Sequence, residues 1–165
     1  MRKELYEMLC EQLSKLYVTP DGSYGVVDEG ASVPDGWRRA IRHVDLWNHN
    51  VEFLEQEDQW ERPAVFVEFH PIDWRALVIG KEYRTEGRVS LHVVTDWQGS
   101  SAAGSAFKDE SLSFFDLLDA IHGVLACQRG RTFCEFDLSG SSTNHNHEEI
   151  VENVETYRFV GIRSL

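Results

Sequence analysis

The stretch Pro63-Ala64-Val65-Phe66-Val67-Glu68-Phe69 decides how the rest of the chain is read. Apart from Pro63 and Glu68 it is apolar, and it is rich in β-branched and aromatic side chains, which suit a pleated, buried surface. A second run of this kind is Arg88-Val89-Ser90-Leu91-His92-Val93-Val94-Thr95. It leads into Gly99-Ser100-Ser101-Ala102-Ala103-Gly104-Ser105-Ala106, whose composition predicts a flexible loop. Shorter strands are expected at Val44-Asp45-Leu46-Trp47 and Val51-Glu52-Phe53-Leu54, on either side of Asn48-His49-Asn50, and again between Trp74 and Ile79. Phe133 to Leu138 alternates poorly but is short and apolar enough for a strand, and Ser139-Gly140-Ser141-Ser142 predicts a turn. Val154 to Ile162 reads as a closing strand. Ile150, Val151, Val154 and Tyr157 also fit helical spacing, which leaves residues 146–153 open between helix and strand.

Two segments carry helical periodicity instead. In residues 2–17, Leu5, Met8/Leu9, Leu13 and Leu16 recur at three- and four-residue steps, and Thr19-Pro20-Asp21-Gly22 ends the pattern. Near residues 113–128, Ser113 reads as an N-cap with Asp116 in the first turn. Phe114, Leu117/Leu118, Ile121 and Val124/Leu125 form its apolar stripe, and Arg129-Gly130 marks its end. Residues 19–36 contain Pro20, Gly22, Gly25, Gly30, Pro34 and Gly36 and predict a long loop or a loosely formed hairpin; residues 96–110 form a second long loop. The order helix, strands, helix, strands implies an α+β fold. Its mainly antiparallel β-sheet is flanked by an N-terminal helix and the helix near residues 113–128, in one domain over residues 1–165.

Composition narrows the function. In 165 residues, 28 acids against 16 bases give a formal net charge of −12, and 42% of residues are apolar, as in a soluble globular domain. No run reaches the roughly 20 apolar residues that cross a bilayer. Met1-Arg2-Lys3-Glu4 opens without an apolar stretch, so no secretory signal is expected. The acidity argues against broad nucleic-acid backbone binding, which needs clustered bases. The basic group Arg38, Arg39, Arg42 and His43 is too small for such a footprint but could meet an acidic patch on a neighbouring copy. Residues 1–50 are net −2, whereas 51–100 and 101–165 are each net −5. Two runs lack any base: Glu52, Glu55, Glu57, Asp58 and Glu61, then Glu148, Glu149, Glu152 and Glu155. The simplest use of such runs is a solvated face. Cys10, Cys127 and Cys134 contain no CxxC and read as reduced thiols; pairing of Cys127 with Cys134 is the alternative.

Catalytic signatures are sparse. Asn144-His145-Asn146-His147-Glu148-Glu149 could supply imidazole and carboxylate ligands, His145, His147 and Glu148, to Zn²⁺ or Fe²⁺, with a further ligand from His122, His92 or His70. It lacks HExxH or a second pair at metal spacing, and the simpler reading is a polar turn. There is no G-x-S-x-G, no Walker A and no G-x-G-x-x-G between strand and helix. Trp37, Trp47, Trp60 and Trp74 crowd into less than one quarter of the chain and serve either the core or a self-association surface.

Taken in order, four groups of segments resemble tail terminator (tail-completion) proteins of long-tailed bacteriophages and prophages. They are Val44–Asn50 running into Arg62–Phe69; Val89–Val94; Asp116-Leu117-Leu118-Asp119-Ala120-Ile121-His122; and Thr143–Glu148. The resemblance covers most of the chain and lies in the order and spacing of elements. It implies an α+β subunit of a ring, commonly hexameric, that caps the tail tube and docks the head-completion protein. It implies no enzymatic activity, no catalytic residue and no cofactor. DNA would pass through the ring without adhering. The implied setting is the bacterial host cytoplasm during assembly, then the virion tail, with no membrane involvement. Within that picture, Trp37, Trp47, Trp60, Trp74, Arg38 and Arg39 are candidates for self-association. Part of the acidic set (Glu52, Glu55, Glu57, Asp58, Glu61, Glu148, Glu149, Glu152, Glu155) is expected to line the channel and repel phosphate. A small metal-dependent hydrolase or oxygenase built on His145 and His147, and an acidic protein-interaction module, are the alternatives.

Overall fold

The computed structural model describes residues 1–48, 60–144 and 149–164. In chain order its elements are α1 (Arg2–Ser14), β1 (Leu16–Val18), β2 (Tyr24–Val26), β3 (Arg38–Arg39), β4 (His43–Leu46), β5 (Ala64–Phe69), β6 (Arg75–Val78), β7 (Glu82–Asp96), α2 (Lys108–Leu125), β8 (Phe133–Asn144) and β9 (Ile150–Ser164). The class is α+β, as the order of apolar periods implies. A large sheet runs β4-β5-β7-β9-β8, with β6 added beside the start of β7; β2-β1-β3 form a small second sheet. Every pairing in the large sheet is antiparallel except β4 with β5.

The strand that decided the sequence reading pairs along its whole length, from Ala64↔Val94 to Phe69↔Val89. Directly paired residues share a face, so Val65, Val67, Val89, Leu91 and Val93 project to one side. Both helices lie there. Leu5, Leu9 and Leu13 of α1 and Leu117, Ile121 and Leu125 of α2 meet these valines and leucines, Tyr157 and Phe159 in one buried cluster. Full burial of a Leu or Ile contributes about 1.5–3 kcal/mol each, so the two stripes account for why the helices exist in this position. The opposite face carries a smaller apolar cluster of Ala64, Phe66, Val94 and Ile150, with Trp47 and Trp60 packed on it.

Four sequence expectations need correction. The first helix ends at Ser14, not at residue 17, and Leu16, read as part of its stripe, opens β1. The second helix begins at Lys108, not near Ser113: Asp109 and Glu110 occupy its first turn, where carboxylates offset the helix dipole. Ser113 lies within the helix, and its hydroxyl donates back to the Glu110 carbonyl (2.7 Å) instead of capping. The helix closes at Ala126, ahead of Arg129-Gly130. Ser139-Gly140-Ser141-Ser142 is no turn; it continues β8, with Ser141 paired to Glu155 and Ser142 to Val154. The poor alternation of Phe133–Leu138 has a specific cause. Phe133 and Phe136 are both buried although three residues apart. The register of β8 against β9 shifts between Cys134 and Asp137, and Glu135 takes a positive φ of 53°. The extra residue of a bulge lets both rings face inward.

The 19–36 loop is a hairpin over part of its length, with Tyr17 opposite Gly25. Trp37 covers it: a Cβ at Gly25 would lie 2.4 Å from the indole, so only glycine admits the ring there. Residues 146–153 resolve in part, since β9 starts at Ile150. The expected strand Val51–Leu54 lies outside the described residues.

β7 and β9 are each 15 residues long and pair throughout, from Glu82↔Ser164 to Asp96↔Ile150. At about 3.3 Å per residue this ribbon is roughly 46 Å long. It outreaches its neighbours at the Glu82 end, where β6 and β7 form a hairpin. No helix among the described residues is long and apolar enough to cross a membrane.

Candidate functional site

Two surfaces of unusual character lie at opposite ends of the β7–β9 ribbon. The first is the β6–β7 hairpin tip. Leu77, Val78 and Ile79 are 53%, 47% and 92% exposed in succession. Gly80 turns the chain with a φ of 73°, and Lys81 donates its backbone N–H to Val78 O (3.0 Å). Scattered exposed leucines are normal, but three consecutive large apolar residues at a projecting tip signal a contact surface. Sequence reading placed a short strand here and missed the tip. Strand periodicity normally buries every second residue, and only the tertiary structure shows that, among the described residues, all four of β6 are exposed on either side.

The second surface is a groove between α2 and β8, the edge strand of the large sheet. It consists of two adjoining cavities that share Phe115 and Thr143. The larger, about 520 Å³, has an apolar lining that includes Trp97, Phe114, Phe115 and Ile150. The smaller, about 250 Å³, is mixed: Phe115, Leu118 and Leu138 line it together with Asp119 and His122 from α2, Ser141 and Thr143 from β8, and Asn153 and Glu155 from β9. Trp97 and Phe115 at its rim are 52% and 51% exposed. These two aromatics were not among the sequence candidates. Trp97 follows the last residue of β7 and begins the 97–107 loop, where nothing in the sequence distinguishes a rim residue from a core one.

The polar half of the groove is under-satisfied. Asn153 and Glu155 are 2% and 5% exposed because they sit on the helix-facing side of β9. Thr143 donates to Asn153 Oδ1 (2.7 Å), and Ser141 donates to Glu155 Oε2 (2.7 Å). Asn153 Nδ2 and His122 Nδ1, both buried atoms, have no hydrogen-bond partner among the described residues, and neither has the nearby Tyr157 hydroxyl. Burial pushes the Tyr157 phenol up, and the Glu155 and Asp137 carboxylates push in the same direction. A buried polar atom left unpaired costs about 1–3 kcal/mol, and Asn153 and His122, both in the groove wall, carry two such atoms.

The other sheet face holds a closed polar network. His92 Nδ1 lies 2.7 Å from Glu152 Oε1, and His92 Nε2 lies 3.0 Å from Glu68 Oε2. Asn144 donates to Glu152 Oε2 (2.6 Å), and the Trp47 indole stacks on the imidazole at 3.8 Å and 5°. One imidazole thus ties β5, β7 and β9 together beneath an aromatic lid, and Asn144 adds β8. Beside it, Ser90 Oγ joins His70 Nε2 (2.7 Å) and Thr156 Oγ1 (2.9 Å).

The sequence candidates distribute as follows. His145, His147 and Glu148 lie outside the described residues, as do Glu52, Glu55, Glu57 and Asp58. Their possible co-ligands do not converge: His92 and His70 are engaged as above, while His122 faces the groove. Among the described residues, no group of three or more His, Cys, Asp or Glu side chains could hold a metal ion. Trp47 and Trp60 are brought together on Phe66, with ring centroids 6.3 and 4.9 Å from it, and are half-buried. Trp37 is spent on Gly25, and Trp74 is half-buried. Arg38 and Arg39 lie apart on the small sheet, both exposed, with Arg39 over the Tyr17 ring at 6.0 Å. Of the acids expected to face a channel, Glu61 and Glu149 are exposed. Glu152 and Glu155 are not available for that role: at 2% and 5% exposure both are enclosed by the sheet, the first holding His92, the second accepting from Ser141.

The fold and the two surfaces define an α+β protein with an exposed apolar tip and an amphipathic groove. No protein-family model matches the chain, and no curated protein matches it either.

Proposed function

We propose that this chain is a non-enzymatic structural protein of a phage tail, a self-associating subunit of the tail-terminator kind. The ring it forms, hexameric by the family resemblance, caps the tail tube and joins it to the head-completion protein. Assembly takes place in the bacterial host cytoplasm and the finished ring resides in the virion tail. The observation that carries the reading is the uncovered tip Leu77-Val78-Ile79, because a contiguous apolar surface at 47–92% exposure marks a protein contact. The α+β architecture, with two helices on one face of a largely antiparallel sheet, agrees with the fold the resemblance implies. Glu61 and Glu149 remain candidates for a channel wall that repels DNA phosphate, since both are exposed.

Size-exclusion chromatography with light scattering, followed by negative-stain electron microscopy, tests the reading. The expected result is a discrete closed oligomer. A strict monomer at every salt and protein concentration, with no ring in the micrographs, overturns it.

A further inference from the structure

We propose that the hairpin tip Leu77-Val78-Ile79 of one copy seats in the α2–β8 groove of a second copy, so that each subunit offers two different surfaces to its neighbours. The proposal rests on the reading of the chain as a self-assembling subunit and adds where the copies meet.

Three observations point to this occupant. The apolar half of the groove, walled by Trp97, Phe115 and Ile150, matches the apolar character of the tip. The polar half matches what flanks the tip. Asp119, an exposed carboxylate, stands at the groove wall. Arg75 and Lys81 bracket the tip, and neither is in an ion pair among the described residues. The third observation is distance. Glu155 pairs with Leu91, nine residues along β7 from Glu82 and roughly 30 Å from the base of the hairpin. A tip fixed to one end of a fully paired ribbon cannot bend back to that groove, so the contact joins two copies. A tip-in-groove contact is heterologous: it leaves one free tip and one free groove at every stage and either closes into a ring or extends as a filament.

The test uses two charge insertions at exposed positions, Ile79→Glu in the tip and Phe115→Glu in the groove, compared with the wild-type chain by light scattering. At a concentration where the wild type is fully assembled, each variant alone is expected to lose assembly and run as a monomer. An equimolar mixture of the two is expected to give a dimer and nothing larger, because the intact tip of one meets the intact groove of the other while both outer surfaces are blocked. Thermal melts followed by circular dichroism check that each variant folds. If either melts early, Ile79→Cys mixed with Ser142→Cys under oxidation reads the same contact as a cross-linked dimer absent from each variant alone. A wild-type monomer overturns the self-assembly reading and this contact with it. A wild type that assembles while both charge variants assemble equally well, or a mixture that stays monomeric without a cross-link, overturns the contact alone and leaves the ring reading standing.

Discussion

His92 shows what one side chain does in this fold. Its ring lies between Glu152, whose side chain is 3% exposed, and Glu68, whose side chain is 43% exposed. The two partners should therefore differ in weight. Leaving a buried carboxylate without its hydrogen-bond donor costs about 1–3 kcal/mol, whereas solvent screens an exposed contact to about 1 kcal/mol or less. Glu152→Gln is expected to destabilise the chain by about 1–3 kcal/mol and Glu68→Gln by less than about 1 kcal/mol, read from urea unfolding midpoints at constant slope. Equal losses would show that the two carboxylates are not distinguished by burial. Position 92 was legible in the sequence as part of a strand and as one of several loose metal-ligand candidates. Its actual role was not, because both carboxylates come from other strands.

Glu4 gives a residue-scale prediction in pH. Its carboxylate accepts from the Thr132 hydroxyl, from Arg131 N–H (2.6 Å) and from Thr132 N–H (3.2 Å), fastening α1 to the turn before β8. The Thr132 hydroxyl first, then the Arg131 amide, holds its pKa below the ordinary value of 4.5. A carboxylate lowered in the folded state contributes its full stability above the unfolded value and loses it as pH falls through the folded value. Wild type should therefore lose stability on acidification below pH 4.5 that Glu4→Gln, already lacking the charge, does not lose. Denaturation midpoints across pH 3 to 7 would show parallel curves if the tether contributed nothing.

At the scale of elements, the β7–β9 ribbon depends on one small residue. Gly87 lies opposite Phe159, and a Cβ there would come within 2.4 Å of the Phe159 ring, itself 1% exposed. Gly87→Ala must move a ring that the core confines, at about 1–3 kcal/mol, visible as a lowered melting temperature. The apolar stripes of both helices were readable from their three- and four-residue periods. The bulge in β8 was not, although its symptom, the broken alternation from Phe133 to Phe136, was. Likewise the serine- and glycine-rich start of the second half of β8 reads locally as a turn and becomes a strand only because β9 lies beside it to accept the pairing.

For the whole molecule, the prediction concerns salt. If tip and groove meet through both apolar area and opposite charge, assembly should weaken modestly as ionic strength rises and then level off. The Debye length falls from about 8 Å at 0.15 M to 3 Å at 1 M, while apolar burial is little affected. A loss of roughly tenfold or less in association strength is expected between low salt and 1 M, in line with about 1 kcal/mol for a screened pair. Lys81→Ala should flatten that dependence without abolishing assembly. Light scattering over a salt series checks both. Complete dissociation at 1 M would mean that charge alone holds the copies together.

The sequence by itself determined the α+β class, both helical stripes and the central strands, because those depend on local periodicity and on side-chain shape. It also carried the net charge of −12 that argues against broad nucleic-acid binding. Only the tertiary structure decided which acids are free. Glu152 and Glu155 read as part of a solvated run, and both are buried, since neighbouring strands and α2 close over them. Only the tertiary structure exposed Leu77, Val78 and Ile79 and opened a groove at the far end of the ribbon. Exposure is set by what else packs against a segment, and the segments that do so lie far away in sequence.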